Sequence, residues 1–96
     1  MSFRADRIPR RREGADGQRF GSDFVVLDPE GRMLRGLNDT AARIWELSDG
    51  TRTAREIAGV VAHEYGMDVE RVLEDCLRFL ERLAGHGLLD AGEVLR

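Results

Sequence analysis

The segment LNDTAARIWELSDGTRTAREI, residues 37–57, constrains the fold more than any other part of the chain. Asn38 is a favourable N-cap for a first helix, and Gly50 supplies a left-handed residue after that helix ends. Thr53 and Glu56 have the spacing of a capping box, which starts a second helix. Two helix starts separated by one short stop predict two helices joined by a tight turn, as in a helix-turn-helix unit.

A third helix is predicted over residues 69–84, following the N-cap Asp68. Its apolar residues recur at intervals of three and four and form one wide face. They are Val69, Val72, Leu73, Cys76, Phe79, Leu80 and Leu83. Cys76 is the only cysteine of the chain. Its place on the apolar face predicts a small buried side chain rather than a nucleophile or a metal ligand.

A β-hairpin is predicted before the helices. Residues 24–28, FVVLD, have the β-branched and aromatic content of a strand, residues 29–31, PEG, form a turn, and residues 32–37 form the return strand. Both faces of this hairpin carry apolar side chains, whereas the helices can cover only one face. The second face, or the edge of the return strand, is therefore available to a partner.

The sequence divides the chain into three parts. Residues 1–21 are rich in Arg and Gly, and we predict a flexible segment or an edge strand with loops at its glycines. Residues 22–90 form the domain. Residues 91–96 are predicted to be a C-terminal tail, or part of a short hairpin around Ala91 and Gly92.

The distribution of charge is unfavourable for nucleic acid binding. Residues 1–22 hold six Arg and three acids, whereas residues 37–96 hold seven Arg and twelve acids. The third helix, counted from Asp68 to Ala84, has three Arg and five acids, which makes it a poor partner for phosphates. A winged-helix DNA-binding regulator nevertheless stays open as an alternative, because specific base contacts need only a few well-placed Arg.

The residue types that catalysis requires do not cluster in the sequence. His63 and His86 are far apart, neither has the spacing of a metal-binding pair, and no Gly-rich phosphate loop precedes a helix. We therefore expect no catalytic residues, no metal and no cofactor. The chain has neither a long apolar run nor a secretory signal, so we expect no membrane association and a cytoplasmic location.

Three segments occur in a characteristic order: FVVLDPEGRMLRGLNDTAARIWELSDGTRTAREI, the Tyr-Gly-Met-Asp start of the third helix, and RFLERLAGHGLL. Together they resemble the PqqD-like family, whose members are leader-peptide-binding domains, also called RiPP recognition elements. The resemblance covers roughly residues 22–90. It implies an α+β, winged-helix-like fold, with an N-terminal three-stranded antiparallel sheet followed by three helices, and no catalytic residues.

The resemblance also implies a function. In this family, the leader of a ribosomally made precursor peptide adds as a strand to the third strand and lies against the third helix. The domain presents the peptide to a modifying enzyme, such as a radical SAM protein or a leader peptidase. Mapped onto this chain, the binding strand is Arg32, Met33, Leu34, Arg35 and Gly36. The predicted helix contacts, chosen from one helical flank rather than from a motif, are Leu73, Leu77, Leu80 and Ala84.

The pathway is less closely defined by the resemblance. Ser48 stands where PqqD itself usually has Cys, and the segments RIWEL and RGLN are more similar to the lasso-peptide and related branches. PqqD proper, acting in pyrroloquinoline quinone biosynthesis, is therefore kept as an alternative. A homodimer that pairs through the free strand edge is a further alternative. Arg32 and Arg35 are placed to pair with acidic residues of a leader peptide.

Overall fold

The computed structural model describes residues 3–90 and 93–94. Its elements are β1 Arg7–Ile8, β2 Asp16–Phe20, β3 Asp23–Leu27, β4 Met33–Leu37, α1 Asp39–Leu47, α2 Ala54–Tyr65, α3 Val69–Gly85 and β5 Glu93–Val94. The strands β2, β3 and β4 form one antiparallel sheet in that order, and β1 pairs with β5. The predicted α+β fold, a three-stranded sheet followed by three helices, is confirmed.

The helices pack on one face of the three-stranded sheet. Phe24 and Val26 of β3 share a single core with the buried residues of the helices. α3 packs mainly against α2, and its buried residues are Val72, Leu73, Cys76, Phe79, Leu80 and Leu83. Burial raises the pKa of the Cys76 thiol to about 12. The thiol is therefore protonated at neutral pH and unreactive, as its place on the apolar face predicted.

The predicted helix starts are confirmed by their caps. The Asn38 side chain accepts a hydrogen bond at 2.9 Å from the backbone N–H three residues later. At the start of α2, the Thr53 hydroxyl accepts from the Glu56 N–H at 3.1 Å, and the Glu56 carboxylate accepts from the Thr53 N–H at 2.8 Å. Asp68 caps α3 in the same way as Asn38 caps α1. These caps are local, so they fix the helix boundaries from neighbouring residues alone.

Residues 3–12, termed here the N-terminal strap, bind to the helical part of the domain. The backbone carbonyl of Ala5 accepts from the Arg55 N–H at 3.0 Å. The Arg11 guanidinium donates to the carbonyls of Trp45 and Glu46 at 2.9 and 2.7 Å. α1 has no basic residue in its own last turn. The strap therefore supplies the cation that its C-terminal carbonyls favour.

The loop predicted around Gly17 is corrected to a strand, β2. A Cβ atom at this position would lie 2.6 Å from Phe24 Cζ and 2.6 Å from Trp45 Nε1. Glycine is present because the indole packs directly beneath the strand, and this long-range contact outweighs the low strand propensity of glycine. The hairpin predicted at Ala91 and Gly92 lies outside the described residues.

Candidate functional site

β4 is an edge of the sheet, and no strand among the described residues pairs with its outer side. Just before it, the Arg32 carbonyl accepts from the Asp28 N–H at 2.9 Å, and the Arg32 N–H donates to the Asp28 carboxylate at 2.7 Å. The backbone groups of Arg32 therefore point towards the neighbouring strand. Because this direction alternates along an antiparallel strand, the N–H and C=O of Met33 point outwards from the sheet.

A β-bulge interrupts β4. The register shifts between the pairs Phe24–Leu37 and Val26–Leu34. One residue of β3 thus stands opposite two residues of β4, Arg35 and Gly36. Gly36 has φ 74°, a left-handed conformation that glycine adopts without a steric penalty. The extra residue allows Leu34 and Leu37, three positions apart, both to be buried in the core.

One cavity lies between β4 and α3, and a second lies between the start of β4 and the residues that follow α3. The larger, of about 210 Å³, is at the end of β4, where Gly36 lines it together with the buried side chains of Leu37 and Ile44. The smaller, of about 40 Å³, is at the start of β4 and is lined by Arg32 and Met33 among others. There is therefore a cavity at each end of β4.

One flank of α3 lines the larger cavity, and the residue that follows the helix lines the smaller one. Asp75, Phe79 and Arg82 line the larger cavity, and His86, at the end of the helix, lines the smaller one. Their spacing of four, three and four residues places them on the same side of a helix. The space between β4 and this flank is termed the groove below. Its α3 side combines one buried aromatic ring with exposed polar side chains.

The site residues predicted from the sequence differ in their exposure and in whether they line a cavity. On the strand, Arg32, Met33, Arg35 and Gly36 are exposed, and Leu34 is buried but lines the smaller cavity. On the helix, Leu73 and Leu80 are buried in the core, Leu77 is half-buried and Ala84 is exposed. None of these four helix residues lines either cavity. Their role in binding stays a prediction, and the sequence analysis did not select Asp75, Phe79 or Arg82.

Asp28 holds the start of β4 in place. Its side chain is only 1% exposed, yet it accepts hydrogen bonds from the backbone N–H groups of Glu30 and Arg32 and from the Arg32 guanidinium. Burial acts to raise the pKa of Asp28, but the hydrogen bonds and the positive charge of Arg32 outweigh it, so the pKa lies below its usual value. The carboxylate is therefore charged at neutral pH and fixes the turn that leads into the edge strand.

Arg35 and Arg82 differ from most arginines of the protein. Both are exposed, and neither side chain makes an ion pair or a hydrogen bond with another described residue. By contrast, Arg43 binds both carboxylate oxygens of Glu64 at 2.8 Å, and Arg78 pairs with Glu74 at 3.3 Å. Arg82 thus gives the groove a cation that the rest of the described chain leaves unneutralised.

Two other kinds of site are absent from residues 3–90 and 93–94. No group of three or more His, Cys, Asp or Glu side chains within them could hold a metal ion. Among the helices described, none combines the length and the apolar composition that crossing a membrane requires.

Comparison with known proteins identifies one matching family. The family model described as coenzyme PQQ synthesis protein D (PqqD) matches residues 23–89. A search of curated proteins found no match. A solved structure of the PqqD truncation of Methylobacterium extorquens PqqCD, described as a functional and stand-alone RiPP recognition element, is 28% identical. It aligns over 93% of this chain and 95% of its own, with a TM-score of 0.79.

Two similar structures contain a bound peptide. TbiB1 in complex with the TbiA(beta) leader peptide is 25% identical and aligns over 85% of this chain and 95% of its own, with a TM-score of 0.71. Lasso peptide synthetase B1 complexed with its leader peptide is 22% identical and aligns over 88% of this chain and 99% of its own, also with a TM-score of 0.71. At that identity, the second likeness establishes the fold alone.

Proposed function

Because this chain belongs to the PqqD family, we propose that it binds the leader segment of a ribosomally synthesised precursor peptide and presents it to a peptide-modifying enzyme. The observation that carries the proposal is the outer side of β4, which borders the groove and pairs with no strand among the described residues. The similar TbiB1 structure, a complex with a leader peptide, supports the same class of ligand.

The peptide would bind by extending the sheet. Its backbone would form hydrogen bonds with the outward-facing groups of β4 that begin at Met33, and these bonds give affinity for any extended chain. Alternate side chains of an added strand point to opposite faces. One set would therefore enter the groove towards Phe79 and Arg82, while the other would lie beside Met33 and Arg35 on the outer face of the sheet.

The domain would act by binding rather than by chemistry. Holding the leader raises the effective concentration of the precursor peptide at an enzyme that binds the same domain or is linked to it. The enzyme partner that we propose is a radical SAM protein or a leader peptidase, in a lasso-peptide or related pathway in the cytoplasm. Arg32, Met33, Leu34, Arg35 and Gly36 are the proposed strand contacts.

The test is a proline substitution on the edge strand. Met33→Pro removes an outward N–H and places a ring on the edge, but it removes no bond to β3 because that N–H faces away from the sheet. We expect peptide affinity to fall at least about tenfold, or about 1.4 kcal/mol. Fluorescence anisotropy would measure binding of labelled synthetic peptides that cover the N-terminal halves of short precursors encoded beside the gene.

Met33→Ala is the matched control, because it removes the same side chain and keeps the N–H. Circular dichroism and urea unfolding of both variants would verify that the domain remains folded. Equal affinities of the proline and alanine variants would contradict strand addition at β4. Failure of every such peptide to bind the wild-type protein would contradict the proposed function itself.

A further inference from the structure

No described residue forms an ion pair with Arg82, for reasons that are visible in its surroundings. The α3 positions three and four residues from it are Arg78, Phe79, Gly85 and His86, so no carboxylate lies at the spacing that permits an ion pair along the helix. At the start of α1, the nearby acid Asp39 is engaged by Arg19 at 3.1 Å. Across the groove, β4 contains no acidic residue.

The one acid that shares the larger cavity with Arg82 is Asp75. The two residues are seven positions apart on α3, which is about 10 Å along the helix axis. That distance is too great for a direct ion pair and corresponds to about three residues of an extended peptide at roughly 3.3 Å per residue. The groove therefore has a positive end at Arg82 and a negative end at Asp75, with apolar side chains between them.

Gly36 leaves space at the opening of this cavity. A Cβ atom built at this position would meet no heavy atom within 4 Å, and the residue lines the cavity opposite Arg82. A peptide backbone on β4 can therefore approach closely, and its groove-facing side chains come within reach of the guanidinium. Arginine binds a carboxylate through two parallel hydrogen bonds, which gives geometric specificity as well as attraction.

On the basis of the function proposed above, we propose that Arg82 is a specificity-determining residue for peptides with a carboxylate side chain. This carboxylate lies next to the apolar side chain that enters the larger cavity. Asp75 disfavours a second acid two to four residues away, towards the start of α3. Together the two charges set the register of the peptide on a strand edge whose backbone bonds alone would accept several registers.

The experiment selects binders from a displayed library of random 12-residue peptides, using the wild-type protein, Arg82→Gln, Arg71→Gln and Met33→Pro as targets. Arg71 is the matched control. It is an exposed arginine of the same helix, it makes no ion pair with another described residue, and it lies outside the groove. We expect wild-type selections to enrich Asp or Glu beside an apolar residue.

The selected peptides are then synthesised and their affinities measured. Arg82→Gln is expected to weaken binding about tenfold, and Arg71→Gln less than twofold. Replacement of the enriched acid by Ala should weaken wild-type binding by a similar factor and have little further effect on Arg82→Gln. This non-additivity would locate the interaction between the two side chains.

Enrichment of acids that is equal for wild-type and Arg82→Gln, or equal affinity of the two proteins for the acidic peptides, would overturn the role of Arg82. If those peptides still bind Met33→Pro more weakly than wild-type, strand addition at β4 is supported although Arg82 does not determine specificity. If they bind Met33→Pro as tightly as wild-type, strand addition at β4 fails as well.

Discussion

In the helix corner, formed by α1, α2 and the turn between them, the helix caps and Arg43 have partners within the described chain, whereas the β4 edge and Arg82 of the groove do not. At the corner, Asn38 and the Thr53–Glu56 box cap the helices. Hydrogen bonds and charge from Arg43 outweigh partial desolvation and hold the pKa of Glu64 below its usual value. In the groove, the outer side of β4 has no partner strand among the described residues, and none of their acidic side chains forms an ion pair with Arg82.

This difference separates the part of the domain that maintains the fold from the part that is available to a ligand. An unpaired strand edge is an aggregation hazard that proteins usually shorten, charge or cover. Here the edge is five residues long, contains a bulge and carries Arg35 on its exposed side. These features disfavour pairing of β4 with the strand edges of other molecules, but they leave its outward backbone groups accessible.

The largest effect should come from the core stripe of α3, which lies beside the groove flank. Leu80→Ala truncates a side chain that is 0% exposed, so it should lower the free energy of unfolding by about 2–5 kcal/mol. Urea denaturation would measure this loss. Leu80→Met, which nearly conserves volume, should cost less than about 1.5 kcal/mol. A small loss in both variants would show that Leu80 belongs to a surface and not to the core.

The next effect should come from the carboxylate that holds the start of β4. Asp28→Asn should lower stability at pH 7, because the charged acceptor of three hydrogen bonds is lost. The folded-state pKa of Asp28 lies below its unfolded value of about 3.9, so its contribution is present above pH 4 and is lost as the pH falls through the folded pKa. The stability gap between wild type and variant should therefore shrink from pH 7 to pH 3.

Urea unfolding at these two pH values gives the comparison. A gap that stays constant would show that the charge of Asp28 contributes nothing to the turn. Peptide affinity at pH 7 should fall in the same variant, since the edge strand begins at this turn.

A smaller effect should arise at the helix corner. Thr53→Ala removes the hydroxyl of the capping box and should cost about 1 kcal/mol of unfolding free energy. Peptide affinity should not change, because the start of α2 does not line the groove. Thr53→Ser, which keeps the capping hydroxyl, serves as the control. A loss of binding in Thr53→Ala at a temperature where the variant is fully folded would contradict the separation of corner and groove.

The smallest effect should follow substitution on the other flank of α3. Ala84 is exposed and lines neither cavity, so Ala84→Glu should change peptide affinity less than about twofold, as most surface substitutions do. Anisotropy with the same labelled peptides would measure it. A tenfold loss would instead place the peptide against the flank that was predicted from the sequence.

The elements that sequence analysis predicted depend on neighbouring residues. Caps at Asn38, Thr53 and Asp68 are determined within one helical turn, and the hairpin from β3 to β4 follows from its turn residues. The side of α3 that faces β4, by contrast, is not determined by neighbouring residues in the sequence. An amphipathic helix has a flank on each side of its apolar stripe, and only the packing of α3 against α2 and the sheet determines which flank meets the strand.

Two strand features were missed for a similar reason. The bulge at Gly36 depends on the register between β3 and β4, and a glycine alone does not indicate on which strand an extra residue lies. β2 contains Gly17, which weakens the strand pattern, and its presence is explained only by the indole beneath it.

The position of Trp45 gives the protein a built-in spectroscopic probe. It is the only tryptophan of the chain, it is buried beneath Gly17, and the Arg11 guanidinium lies 5.8 Å from the centre of its ring. It lines neither cavity of the groove. Its fluorescence emission should therefore shift to longer wavelength when the strap or β2 detaches and admits water. Occupation of the groove by a peptide should leave this emission unchanged, so one optical signal can follow folding while an anisotropy label follows binding.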